Sequence, residues 1–209
     1  MPASPPPWPL SWIARSHRLF VFRRRTRVLA DALAPLLPQQ GRVLDIGCGD
    51  GTIGAMFTER RPDLIFEGVE YAPRPVCQIP CRPFDGEHLP FHDRAFDACL
   101  FVDVLHHTPD VTVLLREAAR VTRSAVVLKD HLSENSLDHA VLRLMDWVGN
   151  RPHGVILPYN YQGRRQWERH FADCGLQAAQ FTTDVPLYPF PFSLLFGRGL
   201  HFVARLTRI

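Results

Sequence analysis

The stretch that most constrains this chain is Val43-Leu44-Asp45-Ile46-Gly47-Cys48-Gly49-Asp50-Gly51. A short apolar run enters a turn of alternating glycines, and a helix is expected from Thr52. Glycine has no Cβ, so it takes up dihedrals closed to other residues and lets a ligand come close to the main chain. A strand, a glycine turn and a helix N-terminus in succession make a nucleotide-sized cradle at the carboxyl edge of a sheet. The spacing is Gly-x-Gly-x-Gly, and Thr52 stands where a dinucleotide fingerprint puts its third glycine. That departure argues against a nicotinamide cofactor.

The 209 residues predict one domain with a sizeable core, and 46% apolar with 22% charged residues is ordinary for a globular chain. Much of the net charge of +3 sits in Arg23, Arg24, Arg25 and Arg27, too narrow a basic face for a nucleic-acid reader. Cys48, Cys77, Cys81, Cys99 and Cys174 leave one thiol over from any full pairing. Cys77 and Cys81 have a C-x3-C spacing but no second Cys/His pair nearby to complete a zinc site. Reduced structural thiols, no metal and a cytoplasmic location are therefore expected. No run approaches the ~18 apolar residues of a membrane span, and the N-terminus lacks the apolar core of a signal peptide.

Residues 1–12 carry too many prolines for a helix and are read as a disordered or surface-laid arm, with a single domain over 13–209. A helix is expected from Ile13 to Leu37, ended by Pro35 and Pro38 and covering one face of a sheet. Its aromatics and arginines also suit peripheral contact with a membrane. Strands are expected at Arg42–Ile46, Ile65–Glu70, Ala98–Val102 and Ala125–Leu128, with a helix over Thr52–Arg61. Glu70 falls 19 residues after Gly51, at the tip of the strand beside the glycine turn, where a carboxylate can accept both hydroxyls of a ribose. The 14 residues between Glu70 and Asp85 include Pro73, Pro75, Pro80 and Pro83, too few and too rigid for a crossover helix. They predict an extended connection into a short strand near Val76–Cys81. Thr108 as N-cap and Pro109 as first helical residue predict a helix through Arg123. A further helix is expected from Asn135 or Ser136 to Val148, with Leu137, Val141, Leu144 and Trp147/Val148 on one face and Gly149 as its stop. Gly163–Cys174 reads as a helix with Trp167 and Phe171 inward, and Leu176–Thr182 and Leu200–Leu206 as the last two strands. An aromatic, proline-rich insert, Thr183–Gly199, lies between them. Strands alternating with helices argue an α/β doubly wound sheet.

The glycine stretch with Asp45 ahead of it resembles motif I of the class I S-adenosylmethionine-dependent methyltransferases. The run Phe84-Asp85-Gly86-Glu87-His88-Leu89-Pro90-Phe91-His92-Asp93-Arg94-Ala95-Phe96-Asp97 resembles the "D-x-x-x-LPF-x-D-x-x-FD" pattern of small-molecule members, including those of ubiquinone and menaquinone biosynthesis. The resemblance covers about Gly41 to Leu128 and implies a Rossmann-like sheet of seven strands, mostly parallel with an antiparallel last strand. It implies S-adenosylmethionine as cofactor, held by Asp45, Gly47, Gly49, Gly51 and Glu70. Asp85 would then meet the adenine amino group, the Gly86 backbone the ring, and the neighbourhood of Val102 the methionine end. The Leu105-His106-His107 turn would lie where a transferable methyl arrives.

Methyl transfer from a sulfonium is an in-line displacement, so alignment and exclusion of water matter most, and a base is needed only where the acceptor must lose a proton. His107 and His131 are the candidate catalytic residues, with His106 beside them. Lys129, Tyr159 and Tyr161 are candidates for binding the acceptor, and Trp147 for covering it. The aromatic content of the later loops points to an apolar or aromatic small molecule. Two other readings stand beside this one: a non-catalytic module that binds S-adenosylmethionine as a partner or regulatory subunit, and a nicotinamide oxidoreductase, which Thr52 disfavours.

Overall fold

In the computed structural model the described residues are 24–150 and 158–209. The arm over 1–12, the first half of the expected N-terminal helix and the loop segment 151–157 lie outside them. A helix occupies 24–33 (α1), and Ala34–Leu36 continues it as one 3-10 turn that accommodates Pro35. There follow β1 (Gly41–Ile46), α2 (Thr52–Arg60), β2 (Leu64–Glu70), β3 (Cys81–Pro83), β4 (Phe96–Val102), a 3-10 turn at Leu105–His107, α3 (Val111–Val121) and β5 (Thr122–His131). The chain ends with α4 (Ser136–Asn150), α5 (Arg164–Asp173), β6 (Leu176–Thr182), the short α6 (Ser193–Phe196) and β7 (His201–Arg208).

The seven strands form one sheet in the order β3-β2-β1-β4-β5-β7-β6. β1 to β5 run parallel, and β7 pairs antiparallel with both β5 and β6. Register sets Ile46 beside Val69 and Phe101, and Val102 beside Lys129, so the carboxyl ends of β1, β2, β4 and β5 meet at one edge. Strands covered on both faces read as continuous apolar runs, as β4 does. Successive strand side chains point to opposite faces. Leu44 and Ile46 pack with Leu114, Leu115 and Ala118 of α3 and with Trp167 and Phe171 of α5. Val43 packs on the other face with Leu29 and Leu33 of α1 and Phe57 of α2.

Several expected elements fall elsewhere. α3 starts at Val111, not at Pro109, because Asp110 is its cap: Oδ1 of Asp110 accepts from the Thr112 N–H at 2.8 Å. Thr108 instead closes the preceding 3-10 turn, donating from Oγ1 to the Leu105 carbonyl at 2.7 Å. β3 is Cys81–Pro83 rather than Val76–Cys81. The residues before it are drawn onto the glycine turn, where the Gln78 N–H donates to the Asp50 carbonyl and Ile79 is buried. β5 runs on through Lys129, Asp130 and His131 because β7 pairs with it as far as His131 opposite His201. α4 continues through Gly149, and its buried face carries Asp138, Val141, Leu142 and Asp146. Of the expected one-face stripe Val141 is buried, whereas Leu137, Leu144 and Trp147 are exposed, since α4 packs through Val141 and Leu142 together with the polar Asp138 and Asp146.

Candidate cofactor and acceptor site

The glycine turn leaves β1 at the carboxyl edge. Gly47, Gly49 and Gly51 have φ of 73°, 59° and 73°, the left-handed region that side chains disfavour. A Cβ on Gly47 would stand 2.7 Å from the Val104 side chain, so the turn is closed to larger residues there as well. The Gly47 N–H donates to the Val69 carbonyl at 2.8 Å, and the Gly49 N–H donates to Glu70 Oε2 at 2.8 Å, tying the turn to the end of β2. Asp45 lies beneath it, 2% exposed. Burial, then the neighbouring charge of Glu70, pushes the Asp45 carboxyl up to about 7.

Asp85 closes its own turn. Its Oδ1 accepts from the N–H groups of Glu87 and His88 at 2.8 and 2.6 Å, which hold the exposed carboxyl at about 2. Gly86 has φ of 89°, and the Tyr71 ring lies 3.2 Å from where its Cβ would be. Tyr71, 67% exposed, thus stands between Glu70 and Gly86. Sequence reasoning missed it; an aromatic residue directly after the acidic strand end is the signal that could have found it.

Beyond β4 the edge becomes a buried polar cluster. Asp103, at φ of 58°, is gripped by the side chains of Lys129 and of Arg25 from α1. Burial opposes its charge, but Lys129 and then Arg25 hold the carboxyl well below the usual carboxylate range. Lys129 is itself wholly buried. His106 Nδ1 lies 2.6 Å from Asp130 Oδ1, and Asp130 Oδ2 accepts from the Leu105 N–H at 3.0 Å. Burial works against a charged His106, yet Asp130 raises its pKa. Tyr161 donates its hydroxyl proton to Asp146, whose Oδ2 is 3.5 Å from His106 Nε2. The His131 ring is buried 3.2 Å from His106 Nδ1; burial, then Lys129, pushes its pKa well down. The His131 carbonyl accepts from Trp167 Nε1 at 3.0 Å. His107 keeps a partly open ring. Burial, then His106, lowers its pKa to about 4, and its buried Nδ1 has no hydrogen-bond partner among the described residues. Tyr159, at φ of 55°, lies under the Arg143 guanidinium at 4.6 Å.

Of the residues singled out from sequence, Asp45, Gly47, Gly49, Gly51 and Glu70 surround one turn, and Asp85 and Gly86 stand beside it through Tyr71. Val102 and Asp103 link that wall to His107, His131, Lys129, Tyr159 and Tyr161. Lys129, His131 and Tyr161 are engaged inside the protein, whereas His107 and Tyr159 are half-buried. No local spacing suggested a metal site, but the fold brings together two sets of ligand-type side chains, His106/His131/Asp146 and Cys48/Cys77/Cys81.

This strand order and edge define the architecture of class I S-adenosylmethionine-dependent methyltransferases. Residues 19–180 match the family model described as a methyltransferase domain, and the chain belongs to that family. It is 33% identical over 186 residues to the 27-O-demethylrifamycin SV methyltransferase of Amycolatopsis mediterranei, covering 79% of this chain and 65% of that one. It is 38% identical over 92 residues to the fatty-acid O-methyltransferase of Mycolicibacterium smegmatis, covering 39% of this chain and 33% of that protein. The chain thus spans less than two thirds of the length of either relative. Among solved structures, a Thermotoga maritima protein described as a possible histamine N-methyltransferase superposes with a TM-score of 0.66 at 20% identity, covering 95% of this chain and 97% of that one. A Haloferax volcanii methyltransferase complex superposes at 0.68 with 15% identity, over 95% and 96% of the two chains. These likenesses establish the fold.

Proposed function

We propose that this protein transfers a methyl group from S-adenosylmethionine to an oxygen of a small, apolar or aromatic acceptor. The observation that carries this reading is the junction at Asp103, where the glycine-turn wall and a half-open histidine meet along one sheet edge. The residues fit the cofactor. Above Gly49 the backbone is open, with only the Arg74 side chain within 4 Å of where a Cβ would stand. Asp45 and Glu70 supply negative charge that a cationic ligand would offset.

Bound there, S-adenosylmethionine supplies an electrophilic methyl on a sulfonium. Glu70 would hold the ribose hydroxyls, Tyr71 and Gly86 the adenine ring with Asp85 for its amino group, and Val102 the methionine end. His107 is neutral at pH 7 because its pKa lies near 4. It would accept a hydrogen bond from the acceptor's hydroxyl and align that oxygen; the oxygen–methyl bond would form as the methyl–sulfur bond breaks and S-adenosylhomocysteine leaves, with the hydroxyl proton passing through His107 to solvent. His131 and Asp130 fix His106, which fixes His107 through ring contact at 4.0 Å. Lys129 holds Asp103 at the junction, and Tyr159 and Tyr161 exclude water. The relatives named for 27-O-demethylrifamycin SV and for fatty-acid O-methylation support an oxygen acceptor. No helix among the described residues is long and apolar enough to cross a membrane.

The test is to incubate the protein with methyl-labelled S-adenosylmethionine and host extract, then separate polar metabolites, lipids and aromatic products. Label is expected in an apolar or aromatic fraction. Saturable cofactor binding without transfer to any product would instead mark a non-catalytic partner module.

A further inference from the structure

Three cysteines have no part in methyl transfer. Cys48 sits in the glycine turn, Cys77 in the β2–β3 connection and Cys81 at the start of β3, yet their sulfurs all lie within 4.8 Å of one another. The Cys48 and Cys81 sulfurs are 3.5 Å apart. A disulfide needs about 2.05 Å. Two sulfurs each ~2.3 Å from one zinc at a tetrahedral angle stand about 3.8 Å apart, so the Cys48–Cys81 pair is near co-ligand spacing and a small side-chain adjustment brings the Cys77 sulfur to the same ion. We propose that Cys48, Cys77 and Cys81 form a three-thiolate site for a soft d10 metal ion, zinc(II), with solvent as the fourth ligand.

Two glycines make room for it. A Cβ on Gly68 would stand 2.5 Å from Cys48 Sγ, and one on Gly51 would stand 2.8 Å from Cys77 Sγ. Any larger residue at either position would push a sulfur out of the group. Each cysteine is half-buried, sheltered from bulk solvent but within reach of an ion. Thiolate sulfur selects soft ions over magnesium or calcium. A dication stabilises the thiolate form of its ligands, and metal binding then releases the protons.

The site has a structural task. The connection from Glu70 to β3 carries three prolines and no helix, and few backbone hydrogen bonds hold it to the sheet. A metal shared by Cys48 and the Cys77/Cys81 pair would clip this connection to the turn. The inference stands apart from the methyl-transfer reading, since it needs neither cofactor nor acceptor.

The experiment uses reduced, chelator-treated full-length protein, titrated with zinc(II) against a chromophoric chelator and with cobalt(II) as a spectroscopic probe. One equivalent of zinc is expected to bind, with a thiolate-to-cobalt charge-transfer band in the near ultraviolet. Zinc is expected to shield Cys48, Cys77 and Cys81 from iodoacetamide in peptide mass spectra while leaving Cys174 reactive. Cys77→Ser and Cys81→Ser should each weaken binding by at least the ~10- to 100-fold that outer-shell changes cost elsewhere. The Cys99→Ser/Cys174→Ser double variant should still bind one equivalent. The proposal is overturned if wild-type protein binds no stoichiometric zinc or if zinc leaves the alkylation pattern unchanged. It also fails if binding survives Cys77→Ser and Cys81→Ser but is lost in Asp146→Asn, which would place the ion among the histidines.

Discussion

Glu70 is asked to do two things with one carboxylate. Its Oε2 already accepts from the Gly49 N–H, and its Oε1 accepts from the Ala72 N–H at 3.3 Å, before any ribose is considered. A hydrogen bond to a charged group contributes ~1.5–3 kcal/mol. Glu70→Ala is therefore expected to weaken S-adenosylmethionine binding by about 10- to 100-fold in calorimetry, with the fold retained and Glu70→Gln intermediate. Unchanged affinity would remove Glu70 from the ribose. Asp45 carries a pH signature instead. Its folded pKa of about 7 lies above the 3.8 of an ordinary aspartate, so its contribution to stability is fully present below pH 3.8 and is lost as pH rises through 7. A cationic ligand favours the charged carboxylate, so cofactor affinity should rise across pH 6–8, with protons released on binding. Asp45→Asn should flatten both the denaturation profile and the binding profile; a wild-type-like slope in that variant excludes Asp45 as the titrating group. The placement of Asp45 and Glu70 at the glycine turn was legible in the sequence because it follows from a turn and a fixed distance along the chain. Tyr71 was not, because its partner Gly86 is brought to it only by the pairing of β2 with β3.

The start of α3 shows how neighbouring signals compete. Thr108, Pro109 and Asp110 each suit a helix start, and the chain uses them in series: Thr108 ends one 3-10 turn, Pro109 bridges, and Asp110 caps the helix. Both the Thr112 N–H and its hydroxyl donate to Asp110 Oδ1 at 2.8 Å. Asp110→Ala should cost about 1 kcal/mol, read as a fall of ~2–4 °C in Tm for a domain of this size. Thr108→Val should leave α3 intact, and a larger loss there than at Asp110 would reverse the assignment. α4 misled the reading for a different reason. The apolar stripe of Leu137, Val141, Leu144 and Trp147 has helical spacing, but of these only Val141 is buried, on an inner face it shares with Asp138, Leu142 and Asp146. Periodicity identifies a stripe without saying what covers it, and here buried polar groups share the inner side.

At the scale of the molecule, β1, β2, β4 and the core of β5 were legible because each is a short apolar run bounded by turn residues, whereas β3, Cys-Arg-Pro, carries no such signal. The polar cluster beyond β4 was not legible. Its groups come from the turn after β4, from β5, from α4 and from the segment before α5, and no spacing along the chain foretells that His106, Asp130, Asp146 and Tyr161 will meet. The cysteine group was hidden in the same way, since Cys48 and Cys81 lie 33 residues apart. The helix-free connection between β2 and β3 has a kinetic consequence. Segments with few buried contacts and few protected amides open locally at a small fraction of the global unfolding free energy. In metal-free protein the amides of Ala72, Arg74, Val76 and Cys77 should therefore exchange with deuterium long before those of β4 and β5. Because this segment borders the glycine turn, its opening would offer a cofactor held as proposed a route in and out that leaves the core closed. Adding S-adenosylhomocysteine should slow exchange there while β4 and β5 stay unchanged, and protection appearing only around α4 would move the doorway to the acceptor side. The turn that grips the nucleotide would then be fixed, and the wall beside it would set the tempo of exchange.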